Sequence, residues 1–336
     1  MQKILITGGA GYIGSHVIKE LLKKGGYDIT VVDNLSTGFL ETIQRLQDCW
    51  GDFRFVQMDL GDWEKVDELM QKERFDEVIH FAAALVVPES VENPLKYYLN
   101  NTANTANLIK ASVESGVKKF IFSSTAAVYG EPDSIPSTGI SEEAPTAPIN
   151  PYGHSKLMSE QVLKDTAKAY PGFKYVALRY FNVAGADVDG TIGQSTKDAT
   201  HLIKVAAQTA LGKREKMYIF GDDYPTPDGT CIRDYIHVDD LALAHIEALD
   251  YLEEYGSDIF NVGYGRGYSV KEVIDTMRKV SGNDFKAQIA PRRAGDPAIL
   301  IADSFKLRSS TKWQPRYDDL ELICKTALEW EKKLSK

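Results

Sequence analysis

Residues 3–14 read Lys-Ile-Leu-Ile-Thr-Gly-Gly-Ala-Gly-Tyr-Ile-Gly, an apolar run that leads directly into a glycine-rich loop. The run predicts a buried strand, and Gly8, Gly11 and Gly14 predict a tight turn that opens a helix. Small residues let a backbone approach a pyrophosphate, and a helix N-terminus stabilises its charge. The spacing differs from Gly-x-Gly-x-x-Gly, and a turn that binds nothing is the alternative. The strand–loop–helix context favours a dinucleotide.

An acidic residue follows the second predicted strand, which covers residues 29–32. A carboxylate at Asp33 can accept hydrogen bonds from ribose hydroxyls and would repel the 2′-phosphate of NADP. A helix cap or turn is the alternative role, since Asn34 and a Ser-Thr-Gly sequence follow. The pattern predicts NAD rather than NADP. Asp59 and Leu60, after the third strand, are predicted to flank the adenine.

Short apolar strands alternate with helical patterns through the first half of the chain. Strands are expected near residues 3–7, 29–32, 53–58, 78–81, 120–122 and 175–180, with helices at 17–24 and 94–115. This order implies a parallel sheet with right-handed crossovers, an α/β Rossmann-type doubly wound fold. After Asn182 the alternation stops and long loops appear at 183–200 and 221–231. We expect an NAD-binding domain over 1–182 and a smaller α/β substrate domain mainly over 183–336, with 234–262 returning to the first domain.

Composition excludes several classes of function. The 336 residues carry a formal net charge of −9 without a long basic run, so nucleic acid is not an expected partner. The three cysteines are far apart, which favours a reducing compartment, and neither Cys nor His has metal-ligand spacing. The first residues resemble a strand rather than a targeting segment, and no apolar run suits a bilayer. We expect a cytoplasmic protein without a membrane or a metal.

Tyr152 and Lys156 lie four residues apart in a predicted helix and therefore share one face. An ammonium group beside a phenol stabilises the phenolate and can make tyrosine a base near neutral pH. Alone, this spacing is usually a neighbouring pair on a helix surface. Its meaning depends on the glycine loop and on the Ser-Ser-Thr sequence that ends at Thr125.

Taken together, these segments resemble the extended short-chain dehydrogenase/reductases, and within them the epimerases of nucleotide sugars. The resemblance covers nearly the whole chain and is most specific at residues 8–16, 32–35, 80–83, 120–130, 151–156, 179–182, 222–238, 290–293 and 295–296. It implies NAD as cofactor and Tyr152, Lys156 and Thr125 as catalytic residues. The cofactor contacts that it implies are Gly8, Gly11, Tyr12, Ile13, Gly14, Asp33, Asn34, Asp59, Leu60, Phe81, Ala82, Ala83, Asn101, Tyr152, Lys156 and Tyr180.

The resemblance also implies a UDP-sugar substrate and a reaction. Tyr152 would take the proton of the sugar 4-hydroxyl while hydride passes to NAD, and a 4-keto sugar would turn over before hydride returns. Ala126 and Ala127 follow Thr125 where related dehydratases carry an Asp-Glu pair, so elimination lacks its acid. The substrate contacts implied are Thr125, Tyr152, Asn182, His201, Phe220, Arg233, Arg293 and Asp296.

Three positions depart from the family pattern. Leu85 replaces a lysine near the cofactor, His201 replaces an asparagine, and Leu300 is intermediate between the bulky and small residues that go with plain and N-acetylated hexoses. The expected activity is 4-epimerisation of UDP-glucose and UDP-galactose. UDP-N-acetylglucosamine, UDP-glucuronate or a UDP-pentose are alternative substrates, and a net reductase or a non-catalytic NAD sensor are alternative functions. The resemblance further implies a homodimer formed through helices near 94–115 and 152–169.

Overall fold

The computed structural model describes residues 1–132, 135–196, 199–293 and 296–335; Gly295, in a segment that carries the resemblance, lies outside them. The strands are β1 (Gln2–Thr7), β2 (Tyr27–Asp33), β3 (Arg54–Gln57), β4 (Glu77–His80), β5 (Lys119–Thr125), β6 (Lys174–Tyr180), β7 (Asn182–Ala184), β8 (Met217–Phe220), β9 (Ile232–His237), β10 (Asp258–Val262), β11 (Gly267–Ser269), β12 (Ala287–Ala290) and β13 (Ile299–Leu300). The α-helices are α1 (Tyr12–Lys24), α2 (Leu40–Trp50), α3 (Trp63–Glu73), α4 (Val87–Glu92), α5 (Pro94–Tyr97), α6 (Asn104–Ser115), α7 (Pro151–Ala169), α8 (Leu202–Ala210), α9 (Val238–Glu254), α10 (Val270–Ser281), α11 (Phe305–Ser310) and α12 (Leu320–Lys333).

Seven parallel strands form the main sheet in the order β10-β6-β5-β4-β1-β2-β3. The chain first runs outward from β1 to β3 and then resumes on the other side of β1 with β4. Such a reversal opens a crevice at the carboxyl ends of β1 and β4, where doubly wound folds bind ligands. The predicted Rossmann-type α/β fold is confirmed.

Both faces of the sheet are covered, as a parallel sheet requires. Ile4 and Ile6 of β1 point to one side, where Val17 and Leu21 of α1 pack against them in a buried cluster. Leu5 points to the other side, toward α3 and α6. The alternation along β1 therefore places an apolar core on each face and fixes the glycine loop at the end of a rigid strand.

The chain after residue 182 builds two small sheets and also returns to the main one. Strand β9 is flanked by β11 and β13 at one end and pairs with β7 at the other, while β8 pairs with β12. Strand β10 pairs with β6 at the edge of the main sheet, and α9 packs against α1. Residues of the second half thus support the helix that follows the glycine loop.

Two helices differ from the sequence expectation. Helix α1 begins at Tyr12, directly at the loop, because Gly11 has the extended backbone of an N-cap residue. The helix expected over 94–115 is divided into α5, a π-helical segment (Tyr98–Ala103) and α6. None of the described helices has the length and apolar character needed to cross a membrane.

Candidate active site

The glycine loop packs tightly against the end of β4. Gly8 has a φ of +74°, and a Cβ atom there would lie 2.6 Å from the backbone nitrogen of Ala82. A Cβ on Gly14 would lie 2.6 Å from the Gly8 carbonyl oxygen. The first amide groups of α1 lack acceptors within the helix and are available to an anion. The loop is therefore a cradle that only glycine can form, and it fits a dinucleotide pyrophosphate.

Asp33 lies beside this cradle at the end of β2. Its carboxylate accepts hydrogen bonds from the backbone N–H groups of Ala10, at 3.0 Å, and Leu35, at 2.8 Å. Burial raises the pKa of Asp33, and the two amides oppose that rise. Asn34 donates to Asp59 at 2.7 Å, so the predicted ribose and adenine residues at the ends of β2 and β3 come together.

The loop after β4 is held by the π-helical segment. The side-chain amide of Asn101 donates to the Ala84 carbonyl at 2.9 Å and accepts from the Ala84 N–H at 2.8 Å. It also donates to the Ser155 hydroxyl at 3.0 Å, on α7. Tyr97 bonds the backbone of Val86 through its hydroxyl. Asn101, predicted as a cofactor contact, thus fixes the loop that follows Phe81, Ala82 and Ala83.

Tyr152 lies in the first turn of α7, half-buried and next to Thr125 at the end of β5. Asn150 caps this helix by accepting from the Gly153 N–H at 2.9 Å. Burial raises the pKa of Tyr152, and a hydrogen bond with the Thr125 hydroxyl opposes the rise. The two predicted catalytic hydroxyls are therefore in contact.

Lys156 is buried one turn further along α7. Its ammonium donates to the Ser123 carbonyl at 2.8 Å and lies 4.9 Å from the centre of the Phe122 ring. Burial lowers the pKa of Lys156 to about 7, and the negative charge of Glu160 opposes this. In the protein alone, burial and Thr125 rather than Lys156 govern the pKa of the Tyr152 phenol.

Tyr180 ends β6 at the same carboxyl edge of the sheet as Thr125. His245 donates from Nδ1 to the Leu241 carbonyl at 2.9 Å, so its Nε2 accepts from the Tyr180 hydroxyl at 3.0 Å. The Phe81 ring lies 4.9 Å from the His245 ring. Burial lowers the pKa of His245 to about 4, which keeps this support neutral. The arrangement fixes two predicted cofactor contacts, Phe81 and Tyr180, against one imidazole.

Four predicted substrate residues form two pairs in the second half of the chain. The guanidinium of Arg233 lies 3.8 Å from a carboxylate oxygen of Asp296. The guanidinium of Arg293 lies 3.7 Å from the centre of the Phe220 ring. Leu300 is the register neighbour of Arg233 and packs in a cluster that includes Ala126 and Phe181.

Asn182 and His201 line one small cavity, with Gln194, Lys204 and Tyr235. The Gln194 amide lies 2.9 Å from Nδ1 of His201. Asn182 is placed by β7, which pairs with β9, the strand that carries Arg233. These contacts place Asn182 and His201 in one cavity and join it to the Arg233 strand. No group of three metal-ligating side chains occurs within the described ranges.

A model of the NAD dependent epimerase/dehydratase family matches residues 4–263, which span the glycine loop, Tyr152, Lys156 and β10. The chain belongs to the NAD dependent epimerase/dehydratase family. It is 52% identical over 333 residues to UDP-glucose 4-epimerase of Azospirillum brasilense, covering 99% of this chain and 92% of the relative.

Two solved structures of this family extend the comparison. The UDP-Glc/GlcNAc 4-epimerase of Campylobacter jejuni is 59% identical, with a TM-score of 0.87 over 99% of this chain and 100% of that chain. UDP-glucose-4-epimerase of Stenotrophomonas maltophila, solved with NAD and formylated UDP-arabinopyranose, is 38% identical, with a TM-score of 0.94 over 100% and 99% of the two chains.

One polar cluster beside the predicted catalytic residues was not predicted from the sequence. Glu160, Arg179 and Ser124 form a buried polar cluster directly beside Lys156 and Thr125. A signal was available, because Glu160 follows Lys156 by four residues on the same helix face. Arg179 also begins the segment 179–182 that carries the resemblance. The sequence could not show that the two residues meet across α7 and β6.

Proposed function

We propose that this protein is an NAD-dependent 4-epimerase that interconverts UDP-glucose and UDP-galactose through a transient 4-keto sugar. The anchoring of Lys156, one helical turn from Tyr152 on α7, to the Ser123 carbonyl at 2.8 Å near the end of β5 is the observation that carries the proposal. The names of the relatives support the substrate. Mass spectrometry of the nucleotide released from denatured protein should give NAD, and release of NADP alone would contradict the proposed cofactor.

NAD would be held by the glycine cradle, by Asp33 and by Lys156. A carboxylate at Asp33, already bonded to two backbone amides, suits ribose hydroxyls and disfavours an additional phosphate. When bound, NAD would supply the acceptor, and as NADH the donor, of the hydride at C4 of the sugar. Leu85 carries no charge and is half exposed, so it offers the cofactor no charged contact, and backbone groups of the loop that Asn101 fixes would replace that contact.

Side chains of the protein carry out the proton transfer. Tyr152 takes the proton of the sugar 4-hydroxyl and later returns it, while Thr125 shares a hydrogen bond with that oxygen and eases the transfer. With the cofactor bound, the Lys156 ammonium would hold the nicotinamide ribose and would stabilise the phenolate. Arg233 and Arg293 bind the UDP diphosphate from the second half of the chain, where planar guanidinium groups suit phosphate oxygens. Ala126 and Ala127 provide no acid for elimination.

The substrate range is proposed to include UDP-N-acetylglucosamine. Leu300 is half-buried beside Arg233 and leaves more room than a tyrosine, and the Campylobacter jejuni relative is named for both sugars. Product analysis with UDP-glucose, UDP-N-acetylglucosamine, UDP-glucuronate and a UDP-pentose tests the range. Leu300→Tyr should reduce conversion of the N-acetylated sugar more than that of UDP-glucose, with Leu300→Met as control. Equal loss on both sugars would remove Leu300 from the sugar pocket.

A homodimer is also proposed, in the cytoplasm. Leu95, Leu99 and Met158 expose 70%, 65% and 46% of their surface on α5, the π-helical segment and α7. An apolar face of this kind suits a second copy of the chain. Leu95→Glu with Leu99→Glu should convert a dimer to a monomer in light scattering, and Ile289→Glu, an exposed position on β12, is the control. A wild-type monomer at micromolar concentration would contradict the proposal.

A further inference from the structure

Glu160 is a buried carboxylate whose oxygens are fully engaged. Arg179 donates to both of them, from Nε at 3.0 Å and from Nη2 at 2.7 Å. The Ser124 hydroxyl donates to the same carboxylate. Both side chains of the ion pair expose 5% or less of their surface. Burying such a pair is costly unless every hydrogen bond is satisfied, so its place beside the site calls for a function.

The cluster joins the helix of Tyr152 to two strands. Ser124 and Arg179 are register neighbours on β5 and β6, and Glu160 reaches both from α7. Arg179 also donates a hydrogen bond from Nη1 to the Tyr129 hydroxyl at 3.0 Å. Ser124 lies between the residue whose carbonyl accepts from Lys156 and the residue that bonds Tyr152. A displacement of Glu160 would therefore move both catalytic contacts of β5 relative to α7.

The charges around Lys156 give Glu160 a second role. His80 faces Lys156 from β4 and is neutral, because burial lowers its pKa to about 3. Tyr152 on α7 and Tyr180 on β6 have pKa values raised by burial and are also neutral. Among the described residues no carboxylate forms an ion pair with Lys156, and Glu160 is the anion that supports its ammonium against burial. Arg179 places a positive charge on the other side of the same carboxylate.

We propose that Glu160 is a positioning residue of the reaction, which fixes α7 on β5 and β6 and places a negative charge one helical turn from the Lys156 ammonium. The inference rests on the proposed function, because it assigns Lys156 and Tyr152 to proton transfer. A merely structural ion pair would stabilise the fold without affecting the pH dependence of turnover. The two roles can therefore be separated by the rate profile.

Glu160→Gln keeps the shape and removes the charge. Loss of a neighbouring anion lowers the pKa of an ammonium group, so Lys156 would lose its proton at lower pH. The descending, alkaline limb of the kcat/KM profile should move down by about one pH unit, with bound NAD retained. Glu77→Gln is the matched control, because Glu77 forms a buried pair with Lys119 at 2.7 Å at the opposite end of the sheet. Its profile should equal that of the wild type.

Arg179→Gln provides an independent test, because it should move the alkaline limb in the direction opposite to that expected for Glu160→Gln. It leaves the Glu160 charge without compensation, which raises the pKa of Lys156 and should move the same limb to higher pH. Arg179→Lys should restore the wild-type limb. An unchanged limb in both Gln variants, or a shift of both in one direction, would overturn the inference. Failure of wild-type protein to epimerise UDP-glucose in this assay would instead contradict the proposed function.

Discussion

At the residue scale, Tyr152 experiences two opposing influences. Burial disfavours its phenolate, and the Thr125 hydroxyl favours it. Tyr152→Phe removes only the hydroxyl and should lower turnover by about 10²- to 10⁴-fold, since it deletes the proposed general base. The amount of NAD released from the denatured variant should not change. Tyr170→Phe, at an exposed tyrosine after the other end of α7, is the control. Turnover within twofold of wild type would exclude Tyr152 as the base.

Asp33 holds the backbone of the glycine loop and is also proposed to bind the cofactor. Because it holds Ala10 and Leu35, Asp33→Ala would also loosen the loop. Asp33→Asn keeps an acceptor and removes the charge that repels a 2′-phosphate. The ratio of the Kd values for NADP and NAD should fall by about tenfold, a change worth ~1.4 kcal/mol. Asp28→Asn, exposed at the start of β2, should leave the ratio unchanged. An unchanged ratio in Asp33→Asn would remove Asp33 from the ribose site.

At the element scale, the strand–loop–helix unit depends on close contact. Gly8→Ala adds a methyl group that would collide with the backbone of Ala82, at a φ that L side chains rarely adopt. We expect a loss of about 1–3 kcal/mol in unfolding free energy and a loss of bound NAD. Gly25→Ala has almost the same φ, +72°, but meets no atom within 4 Å. It should lose stability and retain NAD, so NAD retention by both variants would contradict the cradle.

The elements also mark the limit of sequence reasoning. The glycine pattern and the apolar runs predict the parallel sheet. Hydrophobic periodicity and turn-forming glycines are local properties of the chain and can be recognised without knowledge of long-range contacts. The division of the 94–115 helix was not predictable in this way. Asn101, Thr102 and Ser159 exchange hydrogen bonds across the π-helical segment and α7, and these partners are more than fifty residues apart. Long-range contacts, not helix propensity, determine the irregular backbone there.

At the scale of the whole molecule, several buried histidines link stability to pH. Burial lowers the pKa of His80 to about 3 and those of His237 and His245 to about 4. Since an unfolded histidine titrates near 6.5, the folded state binds fewer protons, and stability rises with pH. Asp234 has the opposite effect on stability, because burial raises its pKa to about 6. The folded state then holds this proton more tightly than the unfolded state, so Asp234 favours folding as the pH falls.

The unfolding free energy should therefore fall by roughly 2 kcal/mol as the pH is lowered from 6.5 to 5.5. Urea denaturation at the two pH values measures this change. His154→Gln, at an exposed histidine, should show the same fall. Equal stability at both pH values, or higher stability at pH 5.5, would contradict the neutral state of the buried histidines.

Only part of the candidate site can be predicted from the sequence. Residues in short motifs, such as Gly8 or Tyr152 with Lys156, can be identified from their spacing along the chain. The pairing of Arg293 with Phe220 and of Glu160 with Arg179 depends on how distant segments pack. The resemblance implied Arg293 and Phe220 as separate contacts, and Glu160 lies four residues after Lys156, but neither pairing can be derived from spacing along the chain.

The reaction proposed for this protein is a reversible oxidation at C4 of a UDP-hexose, with no net oxidation of the sugar and no net reduction of NAD. The most direct measurement incubates purified protein with UDP-galactose, follows absorbance at the NADH band and analyses the sugars at equilibrium. We expect conversion to UDP-glucose with no steady accumulation of NADH. Unchanged UDP-galactose, or a continuous rise in NADH during turnover, would contradict it.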